Sequence, residues 1–184
     1  MELLATLIGF DYELFQKINL DWTNPFFDRL FPAITDLHKD PRALFVVIPL
    51  FALWIWKDRV RALKWILALV LSLGLSDGIA YRGIKGLVQR DRPQFSGVSF
   101  QLRTHEHSGP SFPSNHASNM FAAATVLTAA FPIGAPIFYF VAFLIAYSRV
   151  YVGVHFPLDV IGGALLGTLI ALCVYRAMRS WLRR

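Results

Sequence analysis

The chain has 184 residues, of which 55% are hydrophobic, 15% are aromatic and only 16% carry a charge. So little charge cannot cover the surface of a soluble domain of this length, and the composition therefore predicts one polytopic membrane domain over residues 1–184. The formal net charge of +6 indicates cytoplasmic loops and anionic ligands, while the placement of the aromatic residues inside apolar runs argues against nucleic acid as a partner.

Residues 1–37 are amphipathic rather than continuously apolar. Apolar residues recur at roughly helical spacing and are interrupted by Glu2, Asp11 and Glu13. This pattern predicts helices that lie in the membrane interface, with a partial or full crossing as the alternative. The acids, and the lack of a basic start, argue against a cleavable signal peptide.

Apolar runs after residue 37 predict an all-α transmembrane bundle with five spans, or six if the N-terminal segment crosses. Residues 117–148 carry no charge and are long enough for two crossings at about 1.5 Å per residue, with the sequence FPIGAP at 131–136 as the break. The predicted spans are Ala43–Trp56, Trp65 to about Ala80 with a helical extension towards Lys85, the two crossings within 117–148, and Pro157 to about Tyr175.

The last predicted span contains Gly163 and Gly167, which form a pair of small residues four positions apart. Such pairs allow two helix backbones to approach closely. We interpret the pair as close packing within the bundle, with a homodimer contact as the alternative.

The basic residues predict which side of the membrane each loop faces. We interpret the basic segment 57–64 as a turn between two spans. Counting crossings back from the C-terminus places it and the basic segment 176–184 on one face, and the positive-inside tendency makes that face cytoplasmic. The polar loop 86–112 and the turn 149–156 then share the outer face.

Three polar clusters stand at helix ends on that outer face. The first, KGLVQRDRP, contains Lys85 and Arg92; the second is PSNH at 113–116; the third, SRVYVGVHFPLD, begins at Ser148 and ends at Asp159. Their common side follows from hydropathy alone, and so it is independent of any motif.

The order and spacing of these clusters resemble the type 2 phosphatidic acid phosphatase (PAP2) family of integral-membrane lipid phosphatases. The family pattern is Lys-x6-Arg-Pro, then Pro-Ser-Gly-His, then Ser-Arg-x5-His-x3-Asp, and all three parts match over about 75 residues. One departure is Asn115, which stands where the pattern has glycine. Asparagine tolerates unusual backbone angles, but its side chain lies near the expected phosphate and bears on the choice of headgroup.

The resemblance and the chemistry of phosphate esters assign roles to eight residues. Such an ester is inert in water, so the site must supply a nucleophile, a proton for the leaving group and charge stabilisation. We expect His155 to attack phosphorus and form a phosphohistidine, Asp159 to orient its other ring nitrogen, and His116 to protonate the leaving group and then activate water.

The remaining predicted residues bind phosphate. Lys85, Arg92 and Arg149 are expected to hold the phosphoryl oxygens. Ser114 is expected to cap the helix that enters the membrane, whose first free N–H groups, beginning at Asn115, form an anion site. The resemblance implies catalysis without a metal or other cofactor.

Two other interpretations remain open. Ser114, His116 and Asp159 could form a hydrolytic triad, or the His155-x3-Asp159 spacing could indicate an acyltransferase, but either leaves the three cations without a shared purpose. A non-enzymatic transporter or channel would use its charges along an ion path, whereas here they cluster at helix ends.

The family implies a lipid phosphate or diphosphate as the substrate: undecaprenyl diphosphate, phosphatidylglycerol phosphate, phosphatidic acid or lipid A phosphate. The short chain and the charge pattern favour a bacterial inner membrane with the site at its outer leaflet.

The sequence allows two interpretations for each of two further groups of polar residues. Asp77 and Lys85 share a helical face, so Asp77 either positions Lys85 or makes an ordinary structural pair. We interpret the sequence HEH at 105–107 as a solvated loop near the headgroup entrance rather than as part of a metal site.

Overall fold

Helices are the regular secondary structure of this protein, in a computed structural model that describes residues 2–37 and 41–184. Met1, where the predicted amphipathic segment begins, lies outside the described residues. The α-helices in the described ranges are α1 (Glu2–Gln16), α2 (Pro25–Thr35), α3 (Pro41–Lys57), α4 (Arg59–Gly78), α5 (Lys85–Val88), α6 (Asn115–Ala130), α7 (Ala135–Tyr151) and α8 (Pro157–Leu182). The predicted all-α class is confirmed.

Two π-helical segments extend these helices. Lys17–Asp21 continues α1, and Ile79–Ile84 joins α4 to α5. The second segment extends the helix from the predicted span to Lys85, as the sequence predicted.

Three helical stretches are long and apolar enough to cross a membrane: Arg59–Phe95, Pro132–Tyr151 and Pro157–Leu182. A shorter apolar helix covers Phe45–Lys57, and α6 has 16 residues. The count of five spans therefore stays a prediction. Large apolar side chains point outward along these helices, for example Phe45 at 81% and Leu165 at 61% exposure, which suits contact with lipid rather than water.

Helix α6 lies at the centre of the bundle, where it packs against α4, α7 and α8. Trp65 of α4, Val126 of α6 and Ala171 of α8 belong to one buried cluster between these helices. The predicted break between the two uncharged crossings is confirmed, because a short 3-10 turn at Pro132–Gly134 separates α6 from α7.

The contact of α6 with α8 depends on Gly163 and Gly167. A Cβ atom at Gly163 would lie 2.4 Å from the Ser114 carbonyl oxygen, and one at Gly167 would lie 1.9 Å from that of Ser118. The close-packing interpretation of the pair is thus supported. Because α6 of the same chain covers this face, a homodimer contact through α8 would have to use other residues.

The basic segment 57–64 differs from its interpretation as a turn. Helix α4 begins at Arg59, so the turn is reduced to Asp58, whose carboxylate caps the helix by accepting a hydrogen bond of 3.1 Å from Arg61 N. A carboxylate at this position stabilises the first free N–H groups of a helix, and most of the basic residues consequently lie on the first turns of α4.

The N-terminal helices pack on the end of the bundle where the three polar clusters lie. Phe15 of α1 and Phe31 of α2 form a buried cluster with Tyr151 and Phe156. Asn19 donates hydrogen bonds to the carbonyls of Gln101 (2.9 Å) and Tyr151 (2.7 Å). These helices thus support the turn between α7 and α8.

We predict that Gly167→Ala lowers stability by about 1–3 kcal/mol, because the new methyl group overlaps backbone atoms of α6 that cannot move aside separately. Thermal unfolding in detergent would measure the change. Gly74→Ala in α4 is the matched control, since nothing lies within 4 Å of its added Cβ. Equal melting temperatures for the two variants would contradict the close-packing role.

Candidate active site

A cavity of about 490 Å³ opens at one end of the bundle, between the C-terminal ends of α4/α5 and α7 and the N-terminal end of α6. Residues from all three polar clusters line it. Six of the eight predicted site residues are among its described lining: Lys85, Arg92, Asn115, His116, Arg149 and His155. Ser114 and Asp159 are fully buried behind this wall.

His155 is held in the turn between α7 and α8. The N–H groups of Val154 and His155 both donate to the Arg149 carbonyl oxygen, at 3.2 and 3.3 Å. Gly153 has a positive φ of 87°, and a Cβ there would lie 2.7 Å from the Gln101 carbonyl oxygen. Glycine therefore satisfies both the backbone angle and the close approach that bring His155 to the cavity.

The two ring nitrogens of His155 have different neighbours. Nε2 lies 3.3 Å from Arg92 Nη1, and Nδ1 lies 3.4 Å from Asp159 Oδ2. Because an arginine can only donate hydrogen bonds, Nε2 must be the acceptor and Nδ1 carries the proton in the neutral ring. The lone pair of Nε2 thus points to the cavity side, among the cations.

Burial and positive charge both disfavour a second proton on His155. Its side chain is 3% exposed. Burial lowers the pKa of His155 well below its ordinary value of 6.5, and the charges of Arg92, Arg149 and Lys85 lower the pKa further. The ring is consequently neutral at pH 7, which is the form in which Nε2 carries an unprotonated electron pair.

Asp159 is fixed by contacts on both of its oxygens. Oδ1 accepts from Arg90 Nη1 at 2.7 Å, and Oδ2 accepts from the Phe156 N–H at 2.9 Å. Arg90 also pairs with Asp11 of α1, whose other oxygen accepts from the Leu158 N–H at 2.8 Å. The carboxylate beside His155 is therefore part of an ion-pair chain that begins in the N-terminal helix.

The three predicted phosphate ligands are buried and contact mostly neutral oxygens. Lys85 Nζ donates to the Pro110 carbonyl at 2.7 Å, and Arg92 donates to the carbonyls of Gly109 (3.0 Å) and Val154 (2.9 Å). Arg149 Nη1 donates to Thr35 Oγ1 at 2.8 Å. Carbonyl and hydroxyl oxygens orient these cations without cancelling their charge, so the cavity attracts an anion.

His116 lies beside a carboxylate that the sequence analysis did not include. Its Nε2 is 3.3 Å from Asp36 Oδ1, and the same oxygen is 3.6 Å from Arg149 Nη1. Asp36 follows α2, so the second N-terminal helix brings a carboxylate to the cavity. Asp159, by contrast, lies beside His155, and so the alternative triad of Ser114, His116 and Asp159 has no support in this arrangement.

Ser114 and Asn115 act differently from one another. Ser114 Oγ accepts from the Ala117 N–H at 3.5 Å, and the Ser114 N–H donates to the Asp159 carbonyl at 2.9 Å. The predicted N-cap is present. Asn115 faces the cavity and donates from Nδ2 to Asp77 Oδ1 at 2.6 Å, so Asp77 pairs with Asn115, which favours the structural-pair interpretation of Asp77.

The two histidines of the 105–107 loop lie in different environments, one in solvent and one at the cavity. The His105 side chain is 81% exposed, which agrees with the solvated-loop interpretation. His107 instead lines the cavity, where its Nε2 lies 3.0 Å from Arg149 Nη2.

A second, mostly apolar cavity of about 400 Å³ adjoins the first. The two share Asn115 and His116, and the second continues between α2, α4, α6 and α7 along residues such as Leu73, Met120 and Ile145. A polar chamber therefore opens beside an apolar one at this end of the bundle.

Arg90, Asp11, Asp36 and His107 are the residues at the site that sequence reasoning missed. A signal did exist for two of them, since Asp11 interrupts an apolar helix face and Arg90 lies between Lys85 and Arg92. The pairs themselves could not be predicted, because 79 residues separate Arg90 from Asp11 and 80 residues separate His116 from Asp36.

Comparison with known proteins gives a family match over most of the chain. The model of the PAP2 superfamily matches residues 63–183. An undecaprenyl-diphosphatase of Sulfolobus acidocaldarius is 33% identical over 168 residues, which cover 89% of this chain and 76% of that protein.

Two solved structures are similar over nearly their whole length. The crystal structure of Aquifex aeolicus LpxE has a TM-score of 0.69 at 31% identity and covers 89% of this chain and 93% of its own. A transmembrane PAP2-type phosphatidylglycerolphosphate phosphatase of Bacillus subtilis has a TM-score of 0.71 at 24% identity and covers 95% and 87%. At 24% identity, the similarity to the second structure supports the fold alone.

We predict that Asp11→Asn lowers stability by about 1–3 kcal/mol, because it removes one of the two carboxylates that pair with the half-buried Arg90. Thermal unfolding would measure the loss. Glu13→Gln is the control: it removes an acid from the same helix at an exposed position and should leave the melting temperature unchanged. Similar curves for both variants would show that the ion-pair chain does not hold α1 to the site.

Proposed function

Because this chain belongs to the PAP2 superfamily, we propose that it is an integral-membrane lipid phosphatase that works through a phosphohistidine on His155. One observation carries the proposal: the accepting nitrogen of a neutral, buried histidine lies among Lys85, Arg92 and Arg149 in a cavity of about 490 Å³. Neither a serine hydrolase nor an acyltransferase needs that concentration of cations, and a transporter does not need the nucleophile.

In the first step, Nε2 of His155 attacks phosphorus. The phosphoryl oxygens replace the carbonyl groups that Lys85 and Arg92 now contact, and Arg149 completes the clamp. The ring becomes positively charged as the N–P bond forms, and Asp159, 3.4 Å from Nδ1, stabilises that charge. The bond between phosphorus and the leaving oxygen breaks, and His116 gives this oxygen its proton.

In the second step, water releases the phosphate. His116, now neutral, takes a proton from the water as the water attacks the phosphohistidine, and the N–P bond breaks to return His155. Asp36, 3.3 Å from His116, favours the charged form of His116 that the first step requires. The proposed mechanism uses no metal ion, which an excess of chelator in the assay would test.

The lipid tail is proposed to lie in the apolar cavity that shares Asn115 and His116 with the polar one. A tail held there leaves its phosphate among the cations. We further propose that α3, α4, α6, α7 and α8 each cross the membrane, that residues 1–184 act as one domain, and that the site faces the outer leaflet of a bacterial inner membrane.

The candidate substrates are undecaprenyl diphosphate, phosphatidylglycerol phosphate, phosphatidic acid and lipid A phosphate. The similarity to an undecaprenyl-diphosphatase over 89% of this chain supports a polyprenyl diphosphate as the first to assay. Asn115 lines the polar cavity at the position where the family pattern has glycine, and its hydrogen bond to Asp77 fixes its side chain there. We therefore propose Asn115 as the residue that selects the headgroup.

We predict that His155→Ala reduces phosphate release by at least about 10⁴-fold, which is the scale of loss when a nucleophile is removed. The assay uses purified protein in nanodiscs, the four lipids and excess chelator, with trapping of an acid-labile phosphoenzyme as the second readout. Glu106→Ala, at an exposed position of the same end, is the control and should retain both phosphate release and the phosphoenzyme. A trapped phosphoenzyme in His155→Ala would reject this residue as the nucleophile.

The acid side of the pH profile should also report on His155. A pKa lowered below 6.5 keeps the ring unprotonated as the pH falls, so kcat/KM should lose half its value only below pH 6.5. Because a phosphate substrate titrates in the same range, the profile is measured with an alkyl and an aryl phosphate of different pKa. An acid limb that stays above pH 6.5 for both substrates would contradict a neutral, buried His155.

A further inference from the structure

A third cavity, of about 470 Å³, lies at the opposite end of the bundle from the candidate active site. It is formed by the N-terminal end of α4 and the C-terminal ends of α6 and α8. The same helices carry the active site at their other ends, so the two cavities are separated by the length of α4. At 20 residues, that length is about 30 Å, the thickness of the hydrocarbon core of a bilayer.

The lining of this cavity is strongly basic. Arg61, Lys64, Arg183 and Arg184 line it together with one acid, Asp58. The Asp58 carboxylate already accepts the Arg61 N–H as the cap of α4. Arg61 donates to the Ala130 carbonyl at 3.2 Å and Arg183 to the Tyr175 hydroxyl at 3.4 Å, so both contacts leave the positive charge in place.

The floor of the cavity is aromatic and apolar. The rings of Trp65 and Tyr175 stack with centroids 6.0 Å apart, and Leu182 is buried beside them. Lys64 Nζ lies 5.3 Å from the ring of Trp181. Tryptophan, tyrosine and basic residues together are typical of the headgroup level of a membrane.

We propose that this cavity binds the phosphate of an anionic phospholipid in the leaflet opposite the active site. The basic side chains would hold the phosphodiester, and the apolar floor would meet the glycerol and the first methylene groups. Basic pockets between transmembrane helices are suited to such headgroups. Inorganic phosphate shares the charge but not the apolar contact.

The experiment is native mass spectrometry and thermal unfolding of the full chain in detergent, titrated separately with phosphatidylglycerol, phosphatidylcholine and inorganic phosphate. We expect phosphatidylglycerol to stay bound and to raise the melting temperature more than the other two. In the variant Lys64→Gln with Arg183→Gln, its affinity should fall about tenfold to thirtyfold, the effect of two basic side chains at headgroup distance.

The matched control is Arg176→Gln with Arg179→Gln. It removes the same amount of charge from the same end of the bundle, at exposed positions of α8 that are not among the lining of the cavity, and it should bind phosphatidylglycerol as the unaltered chain does. If the double variant unfolds, the single variant Lys64→Gln is titrated in its place. Both pairs leave the active site unaltered, so phosphate release measured in parallel tests the proposed function separately.

Three results would overturn the proposal. An equal loss of affinity in both double variants would mean that bulk charge, rather than this cavity, attracts the lipid. Unchanged affinity in Lys64→Gln with Arg183→Gln would place the lipid elsewhere. Equal stabilisation by inorganic phosphate would mean that the site takes the free anion and not a lipid.

Discussion

The candidate site depends on one electrostatic arrangement: three cations buried around a neutral histidine and held largely by uncharged oxygens. Lys85, Arg92 and Arg149 are at most 7% exposed, and removing their charges from water has a large cost unless an anion joins them. The same charges lower the pKa of His155, so the force that attracts a phosphate also keeps the attacking nitrogen free of a proton. The attraction of an anion and the unprotonated state of the ring thus have a common cause.

Such an arrangement needs a rigid frame, because like charges at close range push one another apart. The frame is built from both ends of the chain. Gly163 and Gly167 let α8 approach α6 until their backbones touch, which fixes the N-termini of both helices at the cavity. Asp11 and Asp36 then bring carboxylates from the N-terminal helices to Arg90 and Arg149. These two acids balance part of the positive charge beside the cavity, whose described lining includes Lys85, Arg92 and Arg149 but neither acid.

Hydropathy predicted the helical class, the break near residue 131 and the common face of the three polar clusters, because each depends on local composition. The motif spacing then predicted six residues that do line one cavity. Contacts between distant segments could not be predicted: nothing in the sequence near Arg90 indicates that its partners lie 79 and 69 residues away. The interpretation of residues 57–64 as a turn was wrong for a related reason, since the single cap at Asp58 starts a helix through a basic stretch that composition alone describes as polar.

The structure also bears on the proposed orientation in the membrane. Six basic residues in the predicted outer loops and at the adjoining helix ends reduce the positive-inside bias, but five of them are engaged inside the protein. Lys85, Arg92 and Arg149 face the cavity, Arg90 pairs with Asp11 and Asp159, and Arg103 pairs with Asp28 at 2.8 Å. Charges that are paired or bind a ligand contribute little at the membrane surface. This leaves the exposed Arg82, with Lys17 and Arg29 of the N-terminal helices, to compare with the basic residues at the other ends of α4 and α8. Counted in this way, the bias favours the proposed orientation, with a cytoplasmic basic face and the phosphate site on the outer side.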